Sequence, residues 1–269
     1  MNAGKGARKP PQVQHEMSDE VLRVEQLSKK FGTTAVLQSV DVQIARGETL
    51  VVIGPSGSGK STLCRTIIGL EPFGDGRISF EGVLLAECAD GRDVSVAADY
   101  RARRLGMGMV FQHFTLFPQL TLRQNVELAP TKVLRLSPDA VRQRAEAVLT
   151  RVGLADKMDS YPAHVSGGQK QRAAIARELA MDRRLLLFDE ITSALDPELV
   201  HEVLQVMRNL AEGGITSLVV THEMGFARSV VSKVLFMDQG RVVESGSPGQ
   251  ILDRPENERT RVFLDHVLN

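Results

Sequence analysis

Residues 54–62, GPSGSGKST, constrain the possible fold of this chain more than any other part of its sequence. They satisfy the pattern G-x-x-x-x-G-K-[ST], follow the apolar run LVVI, and precede a segment with helical spacing that stops at Pro72. A strand, a glycine-rich loop and a helix in this order make the pattern specific for phosphate binding. The glycines let successive N–H groups turn towards an anion, and the helix N-terminus adds its positive dipole end. The sequence therefore predicts a nucleoside triphosphate site.

Each residue of this loop is a candidate ligand of the nucleotide. Lys60 is expected to reach the terminal phosphates, and Ser61 is expected to ligate magnesium. A Gly-Ser surface loop is the alternative interpretation, but such a loop rarely places Lys and Ser at this offset after a buried strand. The predicted nucleotide-binding residues of the loop are Gly54, Pro55, Ser56, Gly57, Ser58, Gly59, Lys60, Ser61 and Thr62.

A second strand-like run, LLLFDE at residues 185–190, ends in two carboxylates. Asp189 is suited to hold magnesium and Glu190 to activate a water molecule. Taken alone, a strand that ends in Asp-Glu is also typical of a solvated strand end. Downstream of a phosphate loop, the pair is the expected second half of a nucleotide site.

Strand-like and helix-like segments alternate along the chain, which predicts an α/β fold with a mostly parallel sheet. Ligands of such sheets bind at the carboxyl ends of the strands, so the polar clusters that end these runs are expected to converge. Residues 86–104 are polar and irregular, and no element is predicted there. The other predictions are hairpins at 73–84 and near 238–240, and helices starting at Ser137, Ser166 and Asp196.

Charge and composition narrow the class of protein. The 269 residues include 33 Lys and Arg and 33 Asp and Glu, so the basic excess of a nucleic-acid-binding protein is absent and no nucleic-acid partner is expected. Cys64 and Cys88 lack CxxC spacing, which argues against a zinc site or a disulfide framework. No apolar run reaches the ~20 residues needed to cross a bilayer. Residues 1–19 lack a signal-peptide apolar region and are predicted to be a disordered tail.

The order of the motifs resembles that of the ABC (ATP-binding cassette) ATPases, over nearly all of residues 21–250. The motifs that carry the resemblance are Gly54–Thr62, Gln112, Ser166–Gln169, Asp189–Glu190, Ser193–Asp196 and His222. The resemblance implies a P-loop NTPase (RecA-like) core, an N-terminal antiparallel β subdomain and an inserted α-helical signature subdomain. The expected divisions are an ATPase domain at 20–255, its helical insertion at about 113–180, and a C-terminal helix at 256–269.

The same resemblance implies a composite site for ATP and Mg²⁺. The signature residues Ser166, Gly167, Gly168 and Gln169 would face the γ-phosphate bound to a second copy, so a homodimer is expected; taken alone, this segment is also typical of a plain capped helix. Gln112 would sense magnesium and the attacking water, and His222 would contact the γ-phosphate. A lone Gln or His is more often structural, so their roles depend on motif order. The implied catalytic residues are Glu190, His222, Gln112 and Lys60, and the implied metal residues Ser61, Gln112 and Asp189.

Three further positions belong to the resemblance. Phe31 occupies the place where these ATPases stack an aromatic ring on adenine, with core packing as the alternative. Val165 stands where Leu usually precedes the signature Ser, and Ile191 where Pro usually follows the base. Neither change removes a phosphate or metal ligand, so hydrolysis is expected to be retained; an N–H and a free φ at Ile191 are expected to make that loop less rigid.

The flanking sequences, VVTHEMGFA above all, resemble the subfamily that serves polar amino acid importers of glutamate or glutamine type, so glutamate, glutamine or aspartate is the expected solute. This resemblance implies a homodimer at the cytoplasmic face of the membrane, beneath two permease subunits fed by an extracytoplasmic binding protein. Phe114, Leu116 and Phe117 are candidates for contacting the permease, with a buried Phe cluster as the alternative. Two other classes remain open: an exporter or lipoprotein-release ATPase, and a soluble ABC ATPase acting in repair or translation.

Overall fold

The computed structural model of the protein describes residues 19–268, and the predicted tail at 1–19 lies outside this range except for Asp19. The strands are β1 (Glu20–Phe31), β2 (Thr34–Ala45), β3 (Thr49–Ile53), β4 (Asp75–Phe80), β5 (Val83–Ala89), β6 (Arg92–Val96), β7 (Met107–Val110), β8 (Leu185–Asp189), β9 (Ser217–Val220), β10 (Lys233–Asp238) and β11 (Arg241–Gly246). The helices are α1 (Lys60–Ile67), α2 (Tyr100–Arg104), α3 (Leu122–Lys132), α4 (Pro138–Arg151), α5 (Gly167–Leu179), α6 (Pro197–Glu212), α7 (Met224–Val230) and α8 (Glu258–Leu268).

Two sheets organise these elements. The six-stranded sheet has the order β11-β10-β3-β9-β8-β7, in which β10, β3, β9, β8 and β7 are parallel and β11 pairs antiparallel with β10. The five-stranded sheet, β2-β1-β4-β5-β6, is antiparallel throughout. The α/β class with a mostly parallel sheet and an N-terminal antiparallel sheet is thus confirmed.

The six-stranded sheet separates two apolar cores, because successive side chains of a strand point to opposite faces. Val51 and Ile53 of β3 belong to a core shared with α3–α7, whereas Leu50 and Val52 belong to a core shared with α1 and the antiparallel sheet. Every residue of β3 and β8 is buried. Buried parallel strands have continuous apolar sequences, which is why these two were recognisable.

Helices α3, α4 and α5 follow one another between β7 and β8, the segment in which the helical insertion is expected. Ser137 caps α4 by accepting a hydrogen bond from the Ala140 N–H, and Pro138 is its first residue, as predicted. Asp196 also stands at the predicted N-cap of α6, but its side chain makes no capping hydrogen bond. The domain limits themselves stay a prediction.

Residues 86–104, for which no element is predicted, contain the end of β5, all of β6 and α2. Every residue of β6 is exposed, and β6 is the last strand of its sheet. Only two valines, Val94 and Val96, alternate with polar residues in β6, so the strand signal of this edge strand is too short to identify it. Among residues 19–268, no helix combines the length and the apolar character that a membrane span requires.

Candidate active site

The phosphate loop joins β3 to α1 at the carboxyl edge of the parallel sheet. Gly54 has φ 148°, and a Cβ atom there would collide with the carbonyl oxygen of Met237. Gly59 has φ 100°, and a Cβ atom there would lie 2.6 Å from the carbonyl oxygen of Val36. Both positions therefore require glycine for conformation and for space. Since α1 begins at Lys60, the N–H groups of its first turn have no acceptor within the helix and can bind an anion.

Lys60 lies inside this loop, with only 3% of its surface exposed. Its Nζ donates to the carbonyl oxygens of Gly54 and Pro55, both at 2.9 Å, and lies 3.8 Å from Oε1 of Glu190. An ammonium has three donors, so one remains for a phosphate oxygen. Burial lowers the pKa of Lys60, while the negative charges of Glu190 and Asp189 oppose that shift.

Asp189 is the last residue of β8 and is almost fully buried. Its Oδ1 is buried and has no hydrogen-bond partner among the described residues, and its Oδ2 lies 3.7 Å from Nη2 of Arg65. Burial raises the pKa of Asp189, against the lowering effects of the Ser61 hydroxyl and of Arg65. A buried carboxylate oxygen without a donor suits a cation ligand, so this residue fits a divalent metal.

Glu190 is held in an unusual backbone conformation. Its φ is 49°, a left-handed value that costs energy for a residue with a side chain. Its N–H donates to the carbonyl oxygen of Val220 at 3.0 Å, and its carbonyl oxygen accepts from Ser193 Oγ at 2.7 Å. These bonds hold the residue in place, and its Oε1 lies 3.2 Å from Nε2 of His222. The hydrogen bond from His222 lowers the pKa of Glu190, burial opposes it, and Lys60 adds to the lowering.

The structure thus brings together Lys60, Asp189, Glu190 and His222 from three neighbouring parallel strands. A buried ammonium, an ionised carboxylate and an imidazole lie close together beside the first turn of α1, whose leading N–H groups have no acceptor within the helix. This arrangement can bind a polyphosphate, hold a metal beside it and present a base to a water molecule.

Two other predicted residues are positioned by β7 and β1. Gln112 follows β7, the strand next to β8, and is half-buried. Phe31 ends β1 with 49% of its surface exposed, so core packing is excluded for it. Lys29 Nζ lies 4.3 Å from the centroid of the Phe31 ring.

The signature residues lie elsewhere in the same chain. Ser166 caps α5: its Oγ accepts from the Gln169 N–H at 3.2 Å, and Gln169 Oε1 accepts from the Ser166 N–H at 3.0 Å. A Cβ atom at Gly167 would lie 3.2 Å from Cδ2 of Leu195, and one at Gly168 would lie 3.2 Å from Cβ of Leu199. These contacts are with the start of α6 and the turn before it, whereas the phosphate loop contacts β2 and the turn after β10. The structure does not bring the two motifs together within one chain.

The two positions that depart from the family pattern are both buried. Val165 is 8% exposed and Ile191 is 2% exposed, and both belong to the core shared with the helices. The Ile191 side chain lies in that core and anchors the loop after Glu190. The expectation of a less rigid loop considered only the backbone change from Pro to Ile and did not include this contact.

Sequence reasoning missed several supporting residues. Asn125, fully buried, binds the Phe117 N–H and donates to the carbonyl oxygens of Phe117, Leu120 and Thr121. The sequence carries only a weak indication of this buried role, since a single Asn in a helical segment is usually exposed. The hairpin turn near 238–240 was predicted, but its contacts with the phosphate loop were not, and neither were those of Lys29, because these contacts join segments that are far apart in sequence.

Comparison with known proteins agrees with this geometry. Residues 37–193 match the family described as ABC transporter. The glutamine transport ATP-binding protein GlnQ of Bacillus subtilis is 46% identical over 249 residues, which cover 93% of this chain and 100% of that protein. The glutamate transport ATP-binding protein GluA of Corynebacterium glutamicum is 48% identical and covers 92% and 99%. The arginine transport ATP-binding protein ArtM of Bacillus subtilis is 48% identical and covers 92% and 100%.

Solved structures give the same result. The ABC transporter component cbiO1 of Clostridium perfringens has a TM-score of 0.76 at 30% identity, covering 87% of this chain and 91% of that one. The ATP-binding cassette MJ0796, a dimer in a post-hydrolysis state with ADP and Pi, has a TM-score of 0.72 at 31% identity, covering 84% and 98%. The chain therefore belongs to the ABC transporter family, as an ATP-binding subunit that hydrolyses ATP.

Proposed function

We propose that this chain energises an ABC importer of polar amino acids, such as glutamine, glutamate or arginine. The observation that carries the proposal is the identity of 46% and 48% to the glutamine and glutamate transport subunits, over 100% and 99% of their length. Likeness over the whole relative, rather than over the ATPase motifs alone, favours import over the exporter and the soluble ATPase alternatives. The subunit would act at the cytoplasmic face of the membrane.

Lys60 and the N–H groups of the phosphate loop bind and orient the terminal phosphates in this proposal. Burial makes each hydrogen bond to a phosphate stronger than it would be in water. Ser61, Asp189 and Gln112 would hold Mg²⁺, which supplies positive charge to the phosphate oxygens. The buried Oδ1 of Asp189, without a hydrogen-bond partner among residues 19–268, supports this assignment.

Glu190 is proposed to accept the proton of the attacking water. The lowered pKa of Glu190 keeps the carboxylate ionised at neutral pH, and His222 orients it through the bond to Oε1. His222, 40% exposed, still has ring surface available to a phosphate. The left-handed backbone at Glu190, held by Val220 and Ser193, aims the carboxylate towards Lys60 rather than into solvent.

Phe31 is proposed to stack on adenine. The Lys29 ammonium lies over the ring, and Lys29 is itself held by the carbonyl oxygen of Pro72 at 2.6 Å and by Glu71 at 3.1 Å. A cation over one face fixes an exposed ring that would otherwise rotate freely. The rest of the Phe31 ring is exposed, and the second strand of its hairpin, β2, packs on Gly59 of the phosphate loop. Both observations support a role in binding the adenine base.

A homodimer is proposed because the phosphate loop and the signature of one chain lie in different surroundings and do not meet. Gly167 and Gly168 open α5, and the N–H groups of a first helical turn lack acceptors within the helix. The side chains of Ser166 and Gln169 each accept a hydrogen bond from the backbone N–H of the other residue. The N–H groups of Gly167 and Gly168 therefore remain for an anion. A second copy would bring these groups to the phosphates bound by the first.

Permease subunits are proposed to dock on the segment after Gln112. Phe117 is 42% exposed, whereas Phe114 and Leu116 are half-buried, so Phe117 is the strongest candidate for a direct contact. The segment is tied to the signature helix: Gln171 donates to the carbonyl oxygen of Phe111 at 3.1 Å, and Arg177 to that of Thr115 at 2.7 Å. A force on this segment would therefore reach α5.

Radiolabelled uptake tests the proposal. A host strain that lacks this chain would receive the wild type, Glu190→Gln, or the control Glu146→Gln, which removes an exposed carboxylate paired with Arg123. Wild type and control are expected to restore uptake of at least one of glutamine, glutamate and arginine, and Glu190→Gln is not. Normal uptake of all three amino acids in the strain without the chain would overturn the proposal.

A further inference from the structure

The turn between β10 and β11 packs against the phosphate loop. Gln239 and Gly240 form this two-residue turn with φ values of 49° and 78°. The Gly240 N–H donates to the carbonyl oxygen of Ser58 at 3.1 Å. The Met237 carbonyl blocks any side chain at Gly54, and the Gly240 Cα lies 3.7 Å from where a Gly59 Cβ would be. The end of β10 therefore lies against the first residue of the loop, and the turn lies against Ser58 and Gly59.

The same turn also binds the β1–β2 hairpin. Its Gly240 carbonyl oxygen accepts from the Gln38 N–H at 2.8 Å, and the Gln239 carbonyl oxygen accepts from Gln38 Nε2 at 2.8 Å. The position of the turn thus affects the positions of both the phosphate loop and the β1–β2 hairpin, in which Phe31 is the last residue of β1.

The C-terminal helix α8 holds this turn by one ion pair. Arg259 Nε donates to Asp238 Oδ2 at 2.9 Å, and Arg259 Nη2 bonds the same oxygen. Asp238, the last residue of β10, is 8% exposed, whereas the Arg259 side chain is 61% exposed. Without the guanidinium, a buried carboxylate would lose its charge partner beside the phosphate loop.

Helix α8 does not need Arg259 in order to dock. The Phe263 ring packs on Phe236, with ring centroids 5.2 Å apart, and Leu264 is 3% exposed. A variant at the exposed Arg259 therefore keeps the apolar contacts of the helix and is expected to fold.

From these contacts we infer that Arg259 is a positioning residue for nucleotide binding, acting through Asp238 and the 239–240 turn on the phosphate loop. N–H groups bind phosphates well only when held within fractions of an ångström, so a relaxed turn weakens binding. The inference rests on the proposed role of residues 54–62, which Lys60→Ala tests separately.

Binding of mant-ATP to the purified full-length chain tests the inference. Arg259→Gln is expected to raise Kd about three- to tenfold, as expected for losing one charge-assisted hydrogen-bonded pair. Arg259→Lys, which keeps the charge but loses the planar fork, is expected to give an intermediate Kd. Arg261→Gln is the control, because Arg261 is on the same helix, donates to the Pro255 carbonyl in an exposed bond, and acts by its charge on Glu244 rather than on Asp238. At saturating ATP, kcat of Arg259→Gln is expected to stay within about twofold of wild type.

Three outcomes separate the alternatives. An unchanged Kd for Arg259→Gln with a lowered melting temperature would overturn the inference and leave the pair purely structural. An equal rise in Kd for Arg261→Gln would also overturn it, since the effect would then belong to the helix and not to the pair. An unchanged Kd for Lys60→Ala would refute the proposed phosphate site instead. In a double-mutant cycle, Asp238→Asn is expected to add nothing to Arg259→Gln, because the two residues act as one pair.

Discussion

At the scale of single residues, Asp189 is placed for function at a cost in stability. Its carboxylate is buried with one oxygen lacking a hydrogen-bond donor among the described residues, and burial raises its pKa. A carboxyl whose folded pKa is raised destabilises the fold increasingly as pH rises above its unfolded value. On the proposed function, a cation that pairs with this carboxylate would offset the cost.

The first prediction is that Asp189→Asn stabilises the nucleotide-free protein and abolishes hydrolysis. The neutral amide removes the buried charge, and the melting temperature at pH 7 is expected to rise by roughly 2–4 °C, the shift that about 1 kcal/mol produces at this size. Thermal melts and phosphate release measure the two effects. Asp156→Asn, at an exposed site beside Lys157, is the control. A lower melting temperature for Asp189→Asn would contradict this account.

The pKa of Glu190 is lowered, whereas that of Asp189 is raised, and this difference leads to a prediction about pH. Its lowered pKa means that the ionised form stabilises the fold above the ordinary Glu value, and that this stabilisation is lost as pH falls through the folded pKa. The same shift would keep Glu190 ionised, and so able to act as the proposed base, at lower pH than an ordinary Glu. His222→Gln removes the main cause, so the acid limb of kcat/KM is expected to move to higher pH. A pH–rate profile measures this, and an acid limb at the same pH in both proteins would refute it.

At the scale of elements, the loop 117–121 is held rigid by one side chain. Asn125 Oδ1 accepts from the Phe117 N–H, and Asn125 Nδ2, which has two hydrogens, lies within hydrogen-bond distance of three carbonyl oxygens of this loop. The Phe117 side chain itself is exposed. An exposed aromatic side chain on a fixed loop is typical of a contact site for another protein.

Phe117→Ala is expected to impair membrane recruitment and transport while leaving the ATPase rate of the isolated subunit within about twofold of wild type. Val133→Ala provides the comparison, because Val133 is a similarly exposed apolar residue (45%) at the end of α3. Membrane sedimentation with the permease present, together with phosphate release in solution, distinguishes the two roles. Equal loss of both activities in Phe117→Ala would place the residue in the core of the helical segment.

Elements differ in how far sequence could predict them. The β3–loop–α1 unit was predictable because its strand is continuously apolar and its glycines meet local constraints of φ and space. The signature helix was predictable because Ser166 and Gln169 form a capping box three residues apart. The β6 edge strand was not, since every residue in it is exposed.

Contacts between distant segments were predictable only in part. The convergence of Lys60 and Glu190 was expected, because polar residues that follow parallel strands meet at one edge of the sheet. The contact between Gly240 and Ser58, which are separated by most of the chain, was not expected, since only the sheet order brings these two turns together. The order of motifs identified Lys60, Glu190 and His222 as candidates, but no periodicity reveals that the 239–240 turn and Arg259 support the same loop.

At the scale of the whole molecule, the two sheets place the phosphate loop and the signature in separate surroundings. The loop lies between the parallel sheet, the β1–β2 hairpin and the turn after β10, whereas the signature contacts Leu195, Leu199 and Phe114. On the proposed function, one chain would present two half-sites. The central claim is that a second copy completes each of them when ATP is bound.

Sedimentation of Glu190→Gln with and without ATP tests this claim most directly, because a chain that cannot hydrolyse ATP retains it. The account predicts a monomer without nucleotide and a dimer with ATP. It also predicts that adding Ser166→Arg, which blocks the signature, leaves mant-ATP bound but keeps the chain monomeric. A mass that ATP does not change, or an ATP-dependent dimer that survives Ser166→Arg, would contradict it.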